Sequence, residues 1–429
     1  MAVPALKIGG GEALLGAWPE PRDEAGWARA ARARAAARLL ERGAPMRRDE
    51  YWKFTDPRGL TAQPAPAAPL LAADEPPVVA GVEAVRLVFV DGVLASERSD
   101  AAAVDGVEIQ PLRSVLRTDI HWARELFGVL EDRAQSPVDR PLASLNTARA
   151  VEGVAIRVTG MAAIPVSLAY LRGAAEAEAL VHHVIRLDPG ADLTLIEDGP
   201  GAARLNAVVE VEVADGASFH HVRTQGRDHE RQAATALFAR LGRESRFKSF
   251  TLTVNGRLTR NESIVEFTGD DAVAHVAGAC VGDGAFHHDD TVFVTHDAVG
   301  CESRQVFKKV LRGGAVGVFQ GKILVKRGAQ KTDGYQISQG LLLDEASQFL
   351  AKPELEIYAD DVVCSHGSTS GAVDETEHFY LTSRGIPRRT AQELLVLAFL
   401  DQAIAEVEAP ALADELRDRL AAWLARRRG

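Results

Sequence analysis

The sequence predicts a mainly β protein, a solenoid of short strands flanked by α-helical ends. Three glycines, Gly190, Gly216 and Gly242, are evenly spaced, since 216 − 190 = 26 and 242 − 216 = 26. A turn glycine at a fixed period between short strands is typical of coils that bury little alone and stack into one core. Apolar residues alternate with polar ones from Val154 onward, and helical periodicity returns only after Ile386. Few of these coils contain a helical segment, which favours a parallel β-helix over a βαβ fold.

These patterns divide the 429 residues into three parts. We predict an N-terminal helical region with a Pro-rich linker over residues 1–80, a β-helix core over residues 81–372 and a C-terminal helical region over residues 373–429. The first part has an Ala- and Arg-rich helix that should end before Gly43, because glycine commonly follows the last turn of a helix. The prolines between Thr61 and Pro77 predict an extended linker.

Composition narrows the class of protein. The formal net charge is −11, which argues against nucleic acid or an anionic membrane as a general partner. Only three cysteines are present, Cys280, Cys301 and Cys364, and this odd, sparse set indicates a reducing compartment rather than a disulfide framework. Residues 1–11 do not resemble a secretory signal, and no run of 18 apolar residues indicates a membrane span. We therefore expect a cytoplasmic protein.

The strongest candidate site is Cys364 with His366. Side chains alternate faces along a strand, so if residues 362–366 are extended, these two side chains point the same way. A thiol and an imidazole on one face suit a soft metal or an iron–sulfur site. Cys280 and Cys301 are expected to be buried small apolar residues, because free cysteines in strand-rich segments commonly are.

Adjacent histidines and aspartates offer other chemistry. Neighbours on a strand face opposite ways, so neither member of a His-His pair helps the other to chelate. The pairs are His182-His183, His220-His221 and His287-His288, and the last is followed by Asp289 and Asp290. A carbohydrate-active enzyme on a β-helix, a lyase or hydrolase with paired aspartates as acid and base, is the alternative function. Asp360-Asp361 and Asp289-Asp290 are its candidate pairs, although adjacent strand residues point apart.

Two further patterns carry weaker hypotheses. The segment from Gly317 to Ile323 resembles a phosphate loop, but three residues separate its glycines and Ile323 stands where Ser or Thr is required. We therefore predict no nucleotide-hydrolysing site in this chain. In the C-terminal region, apolar side chains recur every four residues, which predicts a helix that packs internally or offers a surface to a partner. Its residues are Leu412, Leu416, Leu420, Trp423 and Leu424.

The sequence from Phe319 to Ile386 closely resembles the SufB/SufD family, which builds iron–sulfur clusters in the SUF system. The motifs that carry the resemblance include Gln330-Lys331-Thr332-Asp333, Lys352-Pro353-Glu354-Leu355 and Cys364-Ser365-His366-Gly367. The similarity extends over most of the chain from about Leu142. It implies a right-handed parallel β-helix with helical ends.

The resemblance also implies a function and partners. The chain would be a non-catalytic scaffold subunit that pairs with a SufB-like paralogue and docks a SufC-like ATPase through its C-terminal helices. The transient iron–sulfur cluster would form at the interface with the paralogue, with Cys364 and His366 as the site residues here. Leu412, Leu416, Leu420 and Trp423 would contact the ATPase. A homodimer in isolation and a reduced flavin in the assembled complex are further implications.

Overall fold

The computed structural model describes residues 4–70, 81–100, 104–226 and 230–426. Its α-helices are α1 (Ala5–Gly16), α2 (Gly26–Arg42), α3 (Arg58–Thr61), α4 (Leu112–Val115), α5 (Val129–Arg133), α6 (Pro141–Arg149), α7 (Glu375–Ser383), α8 (Arg388–Ile404) and α9 (Pro410–Arg426). Short 3-10 helices span Glu50–Trp52, Ser96–Arg98 and Trp122–Glu125.

The strands are β1 (Val85–Val90), β2 (Val93–Leu94), β3 (Val107–Pro111), β4 (Val154–Val158), β5 (Val166–Leu171), β6 (Glu178–Leu187), β7 (Asp192–Asp198), β8 (Arg204–Val213), β9 (Ser218–Gln225), β10 (Gln232–Leu241), β11 (Arg246–Val254), β12 (Leu258–Phe267), β13 (Val273–Asp283), β14 (His287–His296), β15 (Glu302–Arg312), β16 (Val316–Val325), β17 (Thr332–Leu342), β18 (Gln348–Ile357) and β19 (Val362–Gly371).

Two sheets stacked face to face form a parallel β-helix, which confirms the predicted fold class. The first sheet, sheet A, has the order β19-β17-β15-β13-β11-β9-β7-β5-β1-β2, and the second, sheet B, has the order β18-β16-β14-β12-β10-β8-β6-β4-β3. All pairs are parallel except β1–β2 and β3–β4 at one end of the solenoid. Paired residues of adjacent coils are 204 − 178 = 26 residues apart near that end and 348 − 316 = 32 apart near the other.

The predicted glycine repeat holds for only two of the turns that lead from sheet B to sheet A. Gly190 and Gly216 occupy one left-handed position, with φ of 72° and 67°, but in the next coil that position is held by Glu244, with φ of 55°. The spacing there is 28 residues because Ser218 pairs with Arg246. Gly242 has another role: a Cβ on it would lie 2.9 Å from the backbone nitrogen of Asp215, so it permits close approach of two coils.

Helices cover both outer faces of the solenoid. Inward-facing residues such as Leu193, Val209 and Phe247 make the solenoid core. Helices α2, α5 and α6 pack on sheet B, so the region predicted as β-helix core contains helices before its regular coils begin. Helix α2 ends at Arg42 before Gly43, as predicted, with Gly43 at φ 74°. The linker has no helix or strand over residues 62–70, and residues 71–80 lie outside the described ranges.

Helices α8 and α9 pack against the outer face of sheet A. The apolar stripe of α9 lies in this interface beside residues such as Phe250 and Leu252. The side chains of Leu412, Leu416 and Leu420 are 1% exposed, and that of Trp423 is 2% exposed. The stripe is therefore part of the chain's own core, which corrects the prediction that these four residues contact an ATPase: buried side chains cannot meet a partner. None of the helices in the described ranges is long and apolar enough to span a membrane.

Buried histidines predict acid lability. Burial lowers the pKa of His183, His220 and His296 from the usual 6.5 to about 4, and that of His288 to about 3. Between pH 6.5 and about 4 the unfolded chain therefore binds more protons than the folded chain, so stability falls as pH falls. Burial raises the pKa of Glu131 to about 7, and this shift opposes the trend.

We expect the free energy of unfolding from denaturant titration to decrease as the pH is lowered from 6.5 to 4. In the variant His296→Gln this decrease should be smaller by about 1–3 kcal/mol, because each unit of pKa shift is worth about 1.4 kcal/mol. Equal stability at pH 6.5 and pH 4.5 contradicts the prediction.

Candidate functional site

Cys364 and His366 lie on β19, the last strand of sheet A. They pair in register with Gly334 and Gln336 of β17, whose positions face the inside of the solenoid. Both side chains are therefore on the inward-facing side of the last coil, as the alternation predicts. We call this coil, made of β18 and β19, the open end, because within the described chain each of its strands has a neighbour in its sheet on one side only. Cys364 is half-buried and His366 is exposed.

The thiol of Cys364 is held protonated. Burial raises its pKa above the usual value, and the nearby carboxylate of Asp333 adds to this effect. A thiol in this state is a poor nucleophile, and it binds a metal only by releasing its proton. Cys280 and Cys301 are free and buried, as predicted, and burial also raises their pKa values. Cys364 is thus the most accessible thiol in the chain.

Beneath His366 the solenoid interior is polar. Gln336 and, one coil further in, Gln305 are aligned with His366 through the parallel pairing, and both amides are fully buried. Neither the oxygen nor the nitrogen of either amide has a hydrogen-bond partner in the described structure. Ser338 and Ser368 share a hydrogen bond of 2.7 Å nearby. Sequence reasoning missed Gln336, although its strand β17 begins at Thr332, inside the Gln-Lys-Thr-Asp motif.

The segment that resembles a phosphate loop is strand β16. Its backbone pairs with β14 on one side and β18 on the other, so its N–H groups are used in the sheets rather than presented to a phosphate. Its two glycines face inward, four residues apart, and make room for large neighbours. A Cβ on Gly321 would lie 2.3 Å from the Gln336 side-chain oxygen, and one on Gly317 would lie 2.9 Å from Lys309. The pattern therefore reflects interior packing.

The residues His287 to Asp290 divide between two environments, as strand alternation requires. Asp289 faces outward, where it pairs with Arg260 and accepts a hydrogen bond from Thr55 of the N-terminal region. Asp290 faces inward and accepts a hydrogen bond from Lys309. The two carboxylates lie on opposite sides of the sheet, both are buried, and each is neutralised by a cation.

This geometry contradicts the alternative of a carbohydrate-active enzyme at these residues. A hydrolase of that kind needs two carboxyl groups that face one substrate, and Asp289 and Asp290 cannot do so. Asp360 and Asp361 lie in the exposed turn between β18 and β19. The backbone N–H of Asp361 donates a hydrogen bond of 2.9 Å to the side-chain oxygen of Gln330. Neither aspartate pair is placed as an acid and base over a groove.

A groove of about 470 Å³ lies on the outer face of sheet B, away from Cys364. Ile264, Phe293 and Leu324 form part of its floor, and Arg140, Lys322 and Lys326 are among its charged residues. Arg140 is buried over the ring of Phe293, and its Nε and Nη2 atoms have no hydrogen-bond partner in the described structure. Its lining also contains Glu266 and Glu356, and Lys322 is paired with Glu356, so the charge of the groove is mixed.

Together these features define a class of protein. The Cys–His pair supplies two soft-metal ligands at an exposed solenoid end, and no group of three or more His, Cys, Asp or Glu able to hold a metal occurs in the described residues. A four-coordinate metal requires two more ligands. The fold is that of a parallel β-helix whose last coil carries a thiol and an imidazole on one face, a donor set suited to a metal site completed by other ligands.

Comparison with known proteins identifies the family. Residues 170–399 match the family described as SUF system FeS cluster assembly, SufBD core domain. The chain is 30% identical over 371 residues to the iron–sulfur cluster assembly protein SufD of Escherichia coli, covering 84% of this chain and 85% of that protein. It is 26% identical over 407 residues to a SufBD family protein of Synechocystis, covering 87% and 86%, and 26% identical over 253 residues to SufD of Bacillus subtilis, covering 57% of each. The chain belongs to the SufBD family of iron–sulfur cluster assembly proteins, with SufD-like character.

Proposed function

We propose that this chain is a scaffold subunit that pairs with a SufB-like paralogue and builds a transient iron–sulfur cluster at their shared interface. The observation that carries the proposal is the position of Cys364 and His366, two soft-metal ligands at the open end of the solenoid. A paralogue seated there supplies the remaining ligands, and iron and sulfide are the substrates. Cys364 must lose its proton to bind iron, while the neutral imidazole of His366 binds through a ring nitrogen.

The open end has the features of a strand-pairing surface. Each of β18 and β19 has a free edge in the described structure, and free edges pair readily with strands of another chain. Large apolar side chains are exposed beside them: Tyr358 is 57% exposed and Val363 is 70% exposed. Exposed apolar groups next to unpaired strands favour a protein partner. The implied homodimer in isolation would use the same surface.

A SufC-like ATPase would dock on the exposed face of α7 and α8. Because the α9 stripe is buried, the contact residues must be sought elsewhere on the C-terminal helices. Phe379 and Tyr380 of α7 are 70% and 55% exposed, and Leu394 of α8 is also exposed. Aromatic residues are favoured at the centre of protein interfaces. These three residues replace the α9 stripe as the proposed ATPase contact.

The test is co-purification of a tagged chain with the SufB-like and SufC-like subunits. We expect Val363→Asp to abolish recovery of the paralogue but not of the ATPase, and Phe379→Asp with Tyr380→Asp to do the reverse. Both surfaces are exposed, so melting temperatures should stay within a few degrees of the wild type. Unchanged recovery of both partners in both variants would sink the assignment of these surfaces. Truncation at Pro410 is a poorer test, since it removes core residues.

Other implications of the resemblance stay predictions. They are a cytoplasmic location, the lack of catalytic turnover in this chain, and the reduced flavin of the assembled complex. The strand β16 does not fit a flavin phosphate, because its N–H groups are paired in the sheets.

A further inference from the structure

The buried amides beneath His366 require an explanation. A buried polar group without a hydrogen-bond partner in the protein is costly, so it calls for a partner from outside the chain's regular hydrogen bonds, such as water, an ion or a ligand-bearing side chain. Gln336 has two such atoms, and its neighbour in the same column, Gln305, has two more. Both side chains are 0% exposed. Leucine would fill either position without that cost.

The position of Gln336 relates it to His366. The two residues are register partners on adjacent parallel strands, and their side chains leave the sheet on the same side. Adjacent strands are about 4.8 Å apart, so an amide at one position can reach an imidazole at the other. Gln305 is one strand further from His366 and is separated from it by Gln336.

The surroundings of Gln336 accommodate an amide at this place. Gly321 of the facing sheet lies against it, and any Cβ there would come within 2.3 Å of the amide oxygen and 2.8 Å of the amide nitrogen. The interior is thus shaped around the end of this side chain. Ser338 lies two residues further along β17 and faces the same way as Gln336. Its hydroxyl shares a hydrogen bond with Ser368, so it is not a buried polar group without a partner.

We propose that Gln336 is a positioning residue for His366. A metal-bound histidine commonly donates its second ring N–H to an acceptor that fixes the orientation of the ring. The side-chain oxygen of Gln336, which has no partner in the described structure and belongs to the register neighbour of His366, would be that acceptor once His366 binds iron through its other nitrogen. This inference rests on the proposed role of His366 and adds the residue that orients it.

The test compares Gln336→Leu with the matched variant Gln305→Leu in the complex reconstituted anaerobically with both partners. Both variants remove an equally buried amide, so both should melt at or above the wild-type temperature. Only Gln336→Leu should lower the cluster yield, by about tenfold, the usual effect of removing a partner of a metal ligand. Gln336→Glu keeps an acceptor oxygen and should retain most of the yield.

A second readout does not depend on cluster formation. In the isolated chain with Zn²⁺ added in place of iron, the ring ¹⁵N chemical shifts of His366, identified by their loss in His366→Ala, report which nitrogen binds the metal and which carries the proton. Gln336→Leu should change that tautomer balance and Gln305→Leu should not. If His366→Ala abolishes cluster formation while Gln336→Leu preserves both the yield and the tautomer balance, the positioning role is wrong and the proposed function stands. If His366→Ala itself preserves the yield, both fall.

Discussion

Replacing His366 with alanine should lower the yield of iron–sulfur clusters in the reconstituted complex by about tenfold or more, because the imidazole ligand has no substitute close by. The side chain is exposed, so its removal should change the free energy of unfolding by no more than about 0.5 kcal/mol. Partner recovery should also be unchanged. Cluster yield is measured by absorbance and by iron and sulfide content after anaerobic reconstitution.

Two variants of the same strand calibrate this result. Ser365→Ala changes an exposed residue on the opposite face of β19 and should retain the full yield. Cys364→Ala should give an intermediate yield, since a cysteine of the partner can replace a missing thiolate. Full cluster yield and normal maturation of client proteins with His366→Ala would mean that this chain serves only as a structural partner.

Replacing Lys309 with methionine should destabilise the fold by about 3–5 kcal/mol, the usual cost of breaking a buried ion pair. Lys309 is 1% exposed inside the solenoid, where its Nζ donates to Asp290 at 2.6 Å and to His288 at 2.8 Å. Without the ammonium group, the carboxylate of Asp290 is buried and uncompensated. The free energy of unfolding from denaturant titration measures the loss.

The control for Lys309 is Lys322, which pairs with Glu356 at a more exposed position. Lys322→Met should cost no more than about 1 kcal/mol, because the partner carboxylate of Glu356 is exposed and is solvated by water once the ammonium group is removed. The double variant Lys309→Met with Asp290→Asn should recover part of the stability, since it removes the orphaned charge. A loss below about 1 kcal/mol for Lys309→Met would show that the buried pair is not needed for stability.

The fold was predictable from the sequence to the extent that local patterns record it. Alternation of apolar residues marked the strands, and Gly43 marked the end of α2. The coil period was not readable, because the left-handed turn position accepts Glu244 as well as glycine, and because the spacing of coils drifts. A glycine pattern therefore matched two coils and then diverged.

The candidate site was predictable in the same partial way. That Cys364 and His366 share a face follows from two residues on one strand. That Gln336 lies beside His366 depends on a pairing 366 − 336 = 30 residues away, and such a register cannot be deduced when the coil length varies. The stripe of α9 shows a third limit: a helix that packs on its own chain and one that packs on a partner have the same periodicity.

The antiparallel strands at the start of the solenoid bear on how far assembly can proceed. There β2, only two residues long, and β3 end the two ladders, and neither runs parallel to the strand beside it. A solenoid with two matching ends can stack head to tail without limit and form a fibre. Here the two ends differ in strand direction, so we expect stacking at the open end to stop after a single step.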